Sequence, residues 1–366
     1  MYSFDDLVRF SSKILQAAGL NEEKASVIAR LFVTADAMGH DTHGLKLVAF
    51  HMPDIEDGHM LLEGEPDVLQ DRGATVVWDG KRLSGVWLAQ KALSLAAERA
   101  KQYGTCSIAI QRAHHTGCLE AFLPELTEQG LIAMITNSVP ASKLMAPFGG
   151  LDRALSTNPF AVGIPTGDVP ILIDMSCTIC AGTKIMRWVD EGKKTPGYWI
   201  QDAQGNLSND PTILFSEPKG TLLPIGGHEY GHKGYNLALM VEALTQGLSG
   251  FGGADYSEHI TPGSTNGGKA DLSVDRLGPV FIQVTDPEAF LGLEAFERQT
   301  KHLVDSCKNS RPINENEPVR LPGTKGYLGL KRAKEVGLEL YPGIMEDIIP
   351  IAERYGVELP DPLPGT

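Results

Sequence analysis

The sequence lacks both common glycine-rich nucleotide loops. No Gly-x-Gly-x-x-Gly sits between a strand-like and a helix-like segment; Gly250-Phe251-Gly252 follows a helix and has no third glycine. No Gly-x-x-x-x-Gly-Lys-Ser/Thr occurs either, because Gly226 to Lys233 is out of register and lacks the hydroxyl. A Rossmann dinucleotide fold and a P-loop are both disfavoured. No charge-free apolar run of 18 or more residues is present, so no membrane span is expected. No Lys/Arg run offsets a net charge of −14, which speaks against nucleic-acid binding. Five cysteines in 366 residues are few and odd in number. They do not read as a disulfide framework, and the expected setting is a reducing cytoplasm. The opening Met1-Tyr2-Ser3-Phe4-Asp5-Asp6 has no basic region leading into an apolar one, the mark of a secretory signal.

What is present reads as an ordinary globular chain, 42% hydrophobic and 21% charged, with the length of two or three domains. Ser3 and Asp6 resemble a capping box before Leu7, Phe10, Ile14 and Ala17, and Gly19 is a stop. Asn21 caps a second helix whose apolar face is Ala25, Ile28, Ala29, Phe32 and Val33. Strands are predicted at 76–78, 107–110, 132–135, 170–175 and 280–284, and helices at 88–100, around 120–129, and over 234–248 with Leu237, Met240, Val241 and Leu244 inward. A further helix starts near Pro342, taken as a first-turn proline. This alternation predicts a mixed α/β fold. Two Gly-rich stretches, 140–167 and 251–272, are the long loops that commonly carry function.

Four constellations carry chemistry. Gly39-His40-Asp41-Thr42-His43-Gly44 places two histidines, an acid and a hydroxyl at a helix end, either as a proton-shuttling site or as a turn whose polar groups cap backbone. Arg112-Ala113-His114-His115-Thr116-Gly117 follows a buried strand. Neighbouring histidines on extended chain face opposite ways, so one is expected in a cleft and one in the structure. His228-Glu229-Tyr230-Gly231-His232 matches the His-Glu-x-x-His of zinc hydrolases. Its flanking glycines oppose the helix that motif needs, so a loop leading into the next helix is the stronger reading. Cys177-Thr178-Ile179-Cys180 is a lone C-x-x-C, read as two packed thiols over a redox pair or zinc site.

Six ordered segments together resemble the malate/L-lactate/sulfolactate dehydrogenase family, the type-2 malate dehydrogenases, which also include ureidoglycolate dehydrogenase, diketogulonate reductase and piperideine-carboxylate reductase. They are Ala35-Asp36 through Gly44, Arg112 to Gly117, the central run containing Thr136-Asn137-Ser138, Ala146 to Gly150 and Ser156-Thr157-Asn158-Pro159, then Asp174 to Lys184, Leu223 to Gly227 with Lys233-Gly234-Tyr235, and Arg320-Leu321-Pro322-Gly323. The resemblance implies a non-Rossmann NAD(P)-binding fold and a homodimer. It implies a discontinuous helical, substrate-side domain (1–118 plus 280–366) around a central cofactor domain (119–279). The implied reaction is hydride transfer between NAD or NADP and the α-carbon of a 2-oxo/2-hydroxy acid, with no metal ligands. His43 or His115 would be the acid/base, Thr42 the hydroxyl partner, and Asp174 the group fixing the imidazole tautomer. Leu47, His51, Ser138, Thr157 and Asn158 would line the substrate, and Asp174, Met175, Ser176, Lys184, Lys233 and Gly234 the cofactor. Departures cluster in the substrate pocket. Leu47 stands where many relatives carry a carboxylate-clamping arginine, His51 where they carry tyrosine, and Glu120-Ala121-Phe122 where they carry Gly-Tyr. The chemistry is kept and the pocket altered, which makes a diacid such as malate a weaker expectation. A cyclic imino acid reductase on the same scaffold is the alternative, a zinc hydrolase through His228, Glu229 and His232 a more distant one, and a catalytically inactive binding protein the last.

Overall fold

The computed structural model describes residues 1–255, 265–266, 269–270 and 277–363. Helix α1 (Phe4–Ala17) begins as expected, with the Ser3 hydroxyl accepting from Asp6 N; in α2 (Glu22–Met38) the Asn21 side chain accepts from Lys24 N at 2.9 Å. Next comes α3 (Lys46–Glu56), then the hairpin of β1 (Asp67–Asp71) and β2 (Thr75–Asp79). Helix α4 (Gly85–Tyr103) returns the chain to β3 (Thr105–Ala113), which lies parallel to β2. After the turn 120–122 and α5 (Leu123–Thr127) follow β4 (Ile132–Asn137), β5 (Phe160–Ile164), β6 (Ile171–Met175) and α6 (Gly182–Asp190). A small sheet of β7 (Ile200–Gln201), β8 (Leu207–Ser208) and β9 (Thr221–Leu222) precedes α7 (Gly227–Tyr230) and α8 (His232–Glu242). The pair β10 (Thr265–Asn266) and β11 (Lys269–Ala270) and the long β12 (Gly278–Thr285) come before three C-terminal helices, Leu293–Lys308, Thr324–Val336 and Ile344–Arg354. Most of the expected 251–272 loop lies outside the described residues.

The main sheet has seven strands in the order β1-β2-β3-β12-β4-β5-β6, antiparallel except for β2 and β3. Strand β12 pairs with both β3 and β4, so it joins segments from either side of the division expected at 118/119. Helix α4 lies on β3 and β12 through a run of small buried residues, Ala89, Ala92, Ala96 and Ala100. Alanine keeps helix and sheet close without an entropic cost to its side chain. Outside α4 lies α2, which also packs on α1 and on Thr324–Val336. One large core spans these layers. Two smaller ones, around Cys177, Ala238 and Val241 and around Ile185, Ile200, Leu214 and Leu222, lie within residues 145–241.

Three local expectations are corrected. Helix α8 buries Gly234, Ala238 and Val241, and the following π-helical turn (243–247) buries Thr245, while Met240 is exposed. The reason is close approach: a Cβ on Gly234 would stand 2.4 Å from Ile225 N and 2.7 Å from Cys177 O, leaving room only for small side chains. Pro342 precedes the Gly343 N-cap and is outside the last helix. The 140–167 stretch contains β5.

Candidate active site

The first motif is shaped by how α2 ends. Gly39 adopts a left-handed conformation (φ 92°), its N–H reaching Asp36 O and the His40 N–H reaching Ala35 O, each at 2.9 Å. This is a Schellman-type stop, and it turns residues 40–44 away from the helix axis. Three anchors then hold the turn. Asp36 Oδ2 accepts from Leu45 N at 2.7 Å, Arg187 of α6 bonds Asp41 at 3.1 Å, and His40 Nε2 lies 2.5 Å from Glu120 Oε2. Gly44 is required at the close of the turn, since a Cβ there would fall 2.2 Å from Asp36 Oδ1.

The turn forms one wall of a cleft of about 280 Å³. Thr42 and His43 face Gly117 and Cys118, Thr157, and the end of β6 at Asp174, Met175 and Ser176. Four of the six matched segments thus meet here. His43 Nδ1 is 2.8 Å from the Thr42 hydroxyl. Burial, helped by the nearby charge of His40, pushes the His43 imidazole down to about 4, so it is neutral at physiological pH. Burial opposes a charge on His40 as well, but its bonds to Cys118 and Glu120 outweigh that and raise it to about 11. Asp174, raised by burial, accepts from Glu120 N at 2.9 Å and faces Cys118 and His40. The group on His43 Nδ1 is therefore Thr42; Asp174, expected there from the sequence, is turned toward the 118–120 segment.

Asp36 has a consequence for stability. Burial raises its carboxyl to about 7. A carboxyl raised from an unfolded value of about 4 favours the folded state most at low pH, and that contribution is lost as pH rises from about 4 through about 7. Asp36→Asn is therefore expected to gain stability relative to wild type by a few kcal/mol between pH 5 and pH 8. His43, depressed on folding, runs the opposite way but is common to both proteins and cancels in the difference. Chemical denaturation at several pH values checks this; a pH-independent difference contradicts it.

The remaining expected residues divide. His115 stacks on His43, ring centroids 6.0 Å apart. His51 is buried behind it with Nε2 3.3 Å from His115 Nδ1, and Leu47 is buried beside the Gly117 turn. Ser138 and Asn158 line neither cleft described here. Both are fully buried, Ser138 bonding the Thr245 hydroxyl at 2.9 Å and Asn158 donating to Ala238 O and Glu242, so they fasten the 137–158 segment to α8 and the turn that follows it. Gly234 is likewise buried against backbone. Lys184 and Lys233 are exposed near the starts of α6 and α8. Cys177 and Cys180 are free thiols raised by burial to about 12 and about 11, which fits packed rather than redox cysteines. His228 and Glu229 sit on the four-residue α7, and His232 begins α8 beyond Gly231. Among the described residues, the His/Cys/Asp/Glu group whose ligand atoms converge within 4.8 Å is instead His40, Cys118 and Asp174. Glu120 was noted only as a departure and Cys118 not at all. The signal available was their position just after the His-His-Thr-Gly turn.

A second cleft of about 330 Å³ is lined by Ala146 to Leu151 and by Thr221 to Pro224, Gly227 and His228. The central run meets a fifth matched segment there, and the Thr178–Pro224 bridge ties its wall to the segment after β6. Ala181, at the rim of the first cleft, is the N-cap of α6 and makes no side-chain cap. The unbonded N–H groups of that helix start suit a phosphate. These features fit a dinucleotide.

The protein is 31% identical over 358 residues to the malate dehydrogenase of Pyrococcus horikoshii, covering 97% of this chain and 95% of that one. The solved structure of malate dehydrogenase from P. horikoshii OT3 superposes with a TM-score of 0.82 at 27% identity, covering 98% and 96% of the two chains. That of Δ1-piperideine-2-carboxylate reductase from Pseudomonas syringae pathovar tomato does so at 0.80 and 25%, covering 96% and 99%. The sequence profile of the malate/L-lactate dehydrogenases matches residues 2–349, and the chain belongs to that family.

Proposed function

We propose that the protein is an NAD(P)-dependent oxidoreductase of small 2-oxo/2-hydroxy acids. The observation that carries this is the meeting of Thr42, His43, Gly117, Thr157, Asp174, Met175 and Ser176, from four separate segments, on one cleft in a chain of this family. Asp174, Met175, Ser176 and the start of α6 with Lys184 would hold the nicotinamide half of the cofactor. The 146–151 and 221–228 walls, with Lys233 nearby, would hold the rest. When bound, the nicotinamide supplies or accepts the hydride at the α-carbon. The chain's own groups manage the oxygen. With the Thr42 hydroxyl donating to Nδ1, the proton of neutral His43 sits on Nε2 and points a hydrogen bond at the substrate carbonyl. A neutral imidazole polarises a carbonyl without giving up its proton. His115, stacked against it, is then the group that protonates the oxygen in reduction and removes the proton in oxidation.

Leu47 leaves the substrate side without the arginine of many relatives, which favours a monocarboxylate or bulkier acid over malate. The similarity to the piperideine-carboxylate reductase supports a second reading: reduction of a cyclic imino acid, since the same chemistry serves C=N. The two-domain division, with the two smaller cores as the centre of residues 119–279, belongs to this reading. A homodimer is part of it too, supported by the exposed Phe290 and Leu291. So is a reducing cytoplasm, supported by five free cysteines.

The test is absorbance at 340 nm with NADH and NADPH against 2-oxo acids, malate in the reverse direction, and Δ1-piperideine-2-carboxylate. Turnover of one class with malate much the poorer substrate is expected. Malate matching the best substrate overturns the altered pocket, and failure to bind or oxidise either cofactor overturns the proposal.

A further inference from the structure

The histidines do not stop at His115. His51 Nε2 is 3.3 Å from His115 Nδ1, and the ring of His114 stands edge-on to His51, centroids 5.5 Å apart. His114 Nε2 lies 3.3 Å from Asp54 Oδ2, and Asp54 Oδ1 lies 3.7 Å from His59 Nδ1. His51, His114 and Asp54 are at most 3% exposed, while the His59 side chain is 28% exposed. Helix α3 makes this possible by presenting His51 and Asp54 three residues apart on one face. The 113–115 segment sends His114 and His115 to different sides, one toward Asp54 and one onto the ring of His43, which lines the cleft.

A string of buried ionisable groups is costly where apolar side chains would pack as well, so this run of close contacts from His115 to the partly exposed His59 asks for a use. The reaction supplies one, since each reduction consumes one proton. We propose that His51, His114 and Asp54 form a proton relay that recharges His115 from solvent at His59. The relay rests on the 2-oxo acid reading above.

In reduction the α-carbon gains a C–H bond with the hydride of the reduced nicotinamide, the carbonyl oxygen gains the His115 proton, and the C=O π bond is lost. His115, left neutral, takes a proton from His51. His51 is resupplied by His114 after rotation of one ring, because the edge-on contact does not align their nitrogens. Asp54 stabilises the imidazolium in transit, and one solvent proton enters at His59. Oxidation runs the same path outward. Facing the relay are His43 and, through it, His40 at the inner end. Phe32 and Phe50 lie against His51, and Arg82, whose guanidinium bonds the His59 carbonyl at 2.9 Å, stands at the outer end.

Asp54→Asn removes the charge and keeps the shape. In weak buffer it is expected to lower kcat by about 10- to 100-fold, with cofactor binding unchanged, to raise the solvent deuterium isotope effect, and to recover with added imidazole. Asp54→Glu should regain much of the loss. His59→Gln, half-exposed and harmless to the core, should show a smaller, buffer-dependent loss and carries the test should Asp54→Asn not fold. An Asp54→Asn enzyme with wild-type kcat and isotope effect overturns the relay. So does one whose loss neither imidazole nor glutamate repairs, which marks a purely structural carboxylate. A wild-type protein that turns over no 2-oxo or cyclic imino acid fails at the earlier step and takes the relay with it.

Discussion

Replacing His43 with alanine is expected to lower kcat for carbonyl reduction by about 10²–10³-fold, the usual loss when one donor to a developing oxyanion is removed. Cofactor affinity should hardly change. His43→Gln should retain more activity than His43→Ala, because an amide N–H can donate the same hydrogen bond. The pH profile separates the two histidines. His43 is already neutral down to about pH 4, so any neutral-range limb of the wild-type profile should persist in His43→Ala. The reverse pattern, with the limb lost only in His43→Ala, moves the acid to His43. Steady-state kinetics from pH 5 to pH 9 on the three variants decide between them.

The second large effect is expected at a glycine that touches no substrate or cofactor. Gly85 opens α4, and a Cβ on it would stand 1.9 Å from the carbonyl oxygen of His114 and 2.8 Å from that of His115. Both obstacles are backbone, so no side chain can swing aside. The overpacking cost, about 1–3 kcal/mol or somewhat more, exceeds the gain of about 1 kcal/mol from replacing helical glycine by alanine. Gly85→Ala should therefore lower Tm and, by pushing the 114–115 segment, lower kcat as well. Gly247→Ala is the control, since a Cβ there has nothing within 4 Å; it should leave both nearly unchanged. Differential scanning fluorimetry with an activity assay is sufficient, and a Gly85→Ala protein as stable and active as wild type would disprove the close contact.

Much of the candidate site is legible in the sequence, because its residues come in short, chemically dense runs. His43, Thr42, Thr157 and Asp174 to Ser176 do share one cleft. Partnership was the harder part. The resemblance places Asp174 on His43, but the direction a strand end points is set by its neighbours in the sheet, which the local sequence does not state. Ser138 and Asn158 sit in matched segments and yet serve packing, since a polar side chain looks alike in sequence whether it meets a ligand or a helix. Helices α1 and α2 were legible from their caps and periodicity. Strand β1, exposed along its length, has no burial pattern to find, and β5 is hidden among prolines and glycines. The inward face of α8 misled because tight packing selects glycine, alanine and threonine there and leaves the larger Met240 outside.

The position of β12 has a consequence for synthesis. It is the central strand of the sheet, yet it lies at residues 278–285, long after both strands that flank it. When β4 is complete, neither its free edge nor that of β3 has the partner it will finally have. At roughly 5–20 residues per second, the ribosome needs about 7–30 s more to deliver β12. Throughout that interval the nascent chain carries two apolar, unpaired strand edges, the kind of surface that chaperones bind and that seeds aggregation.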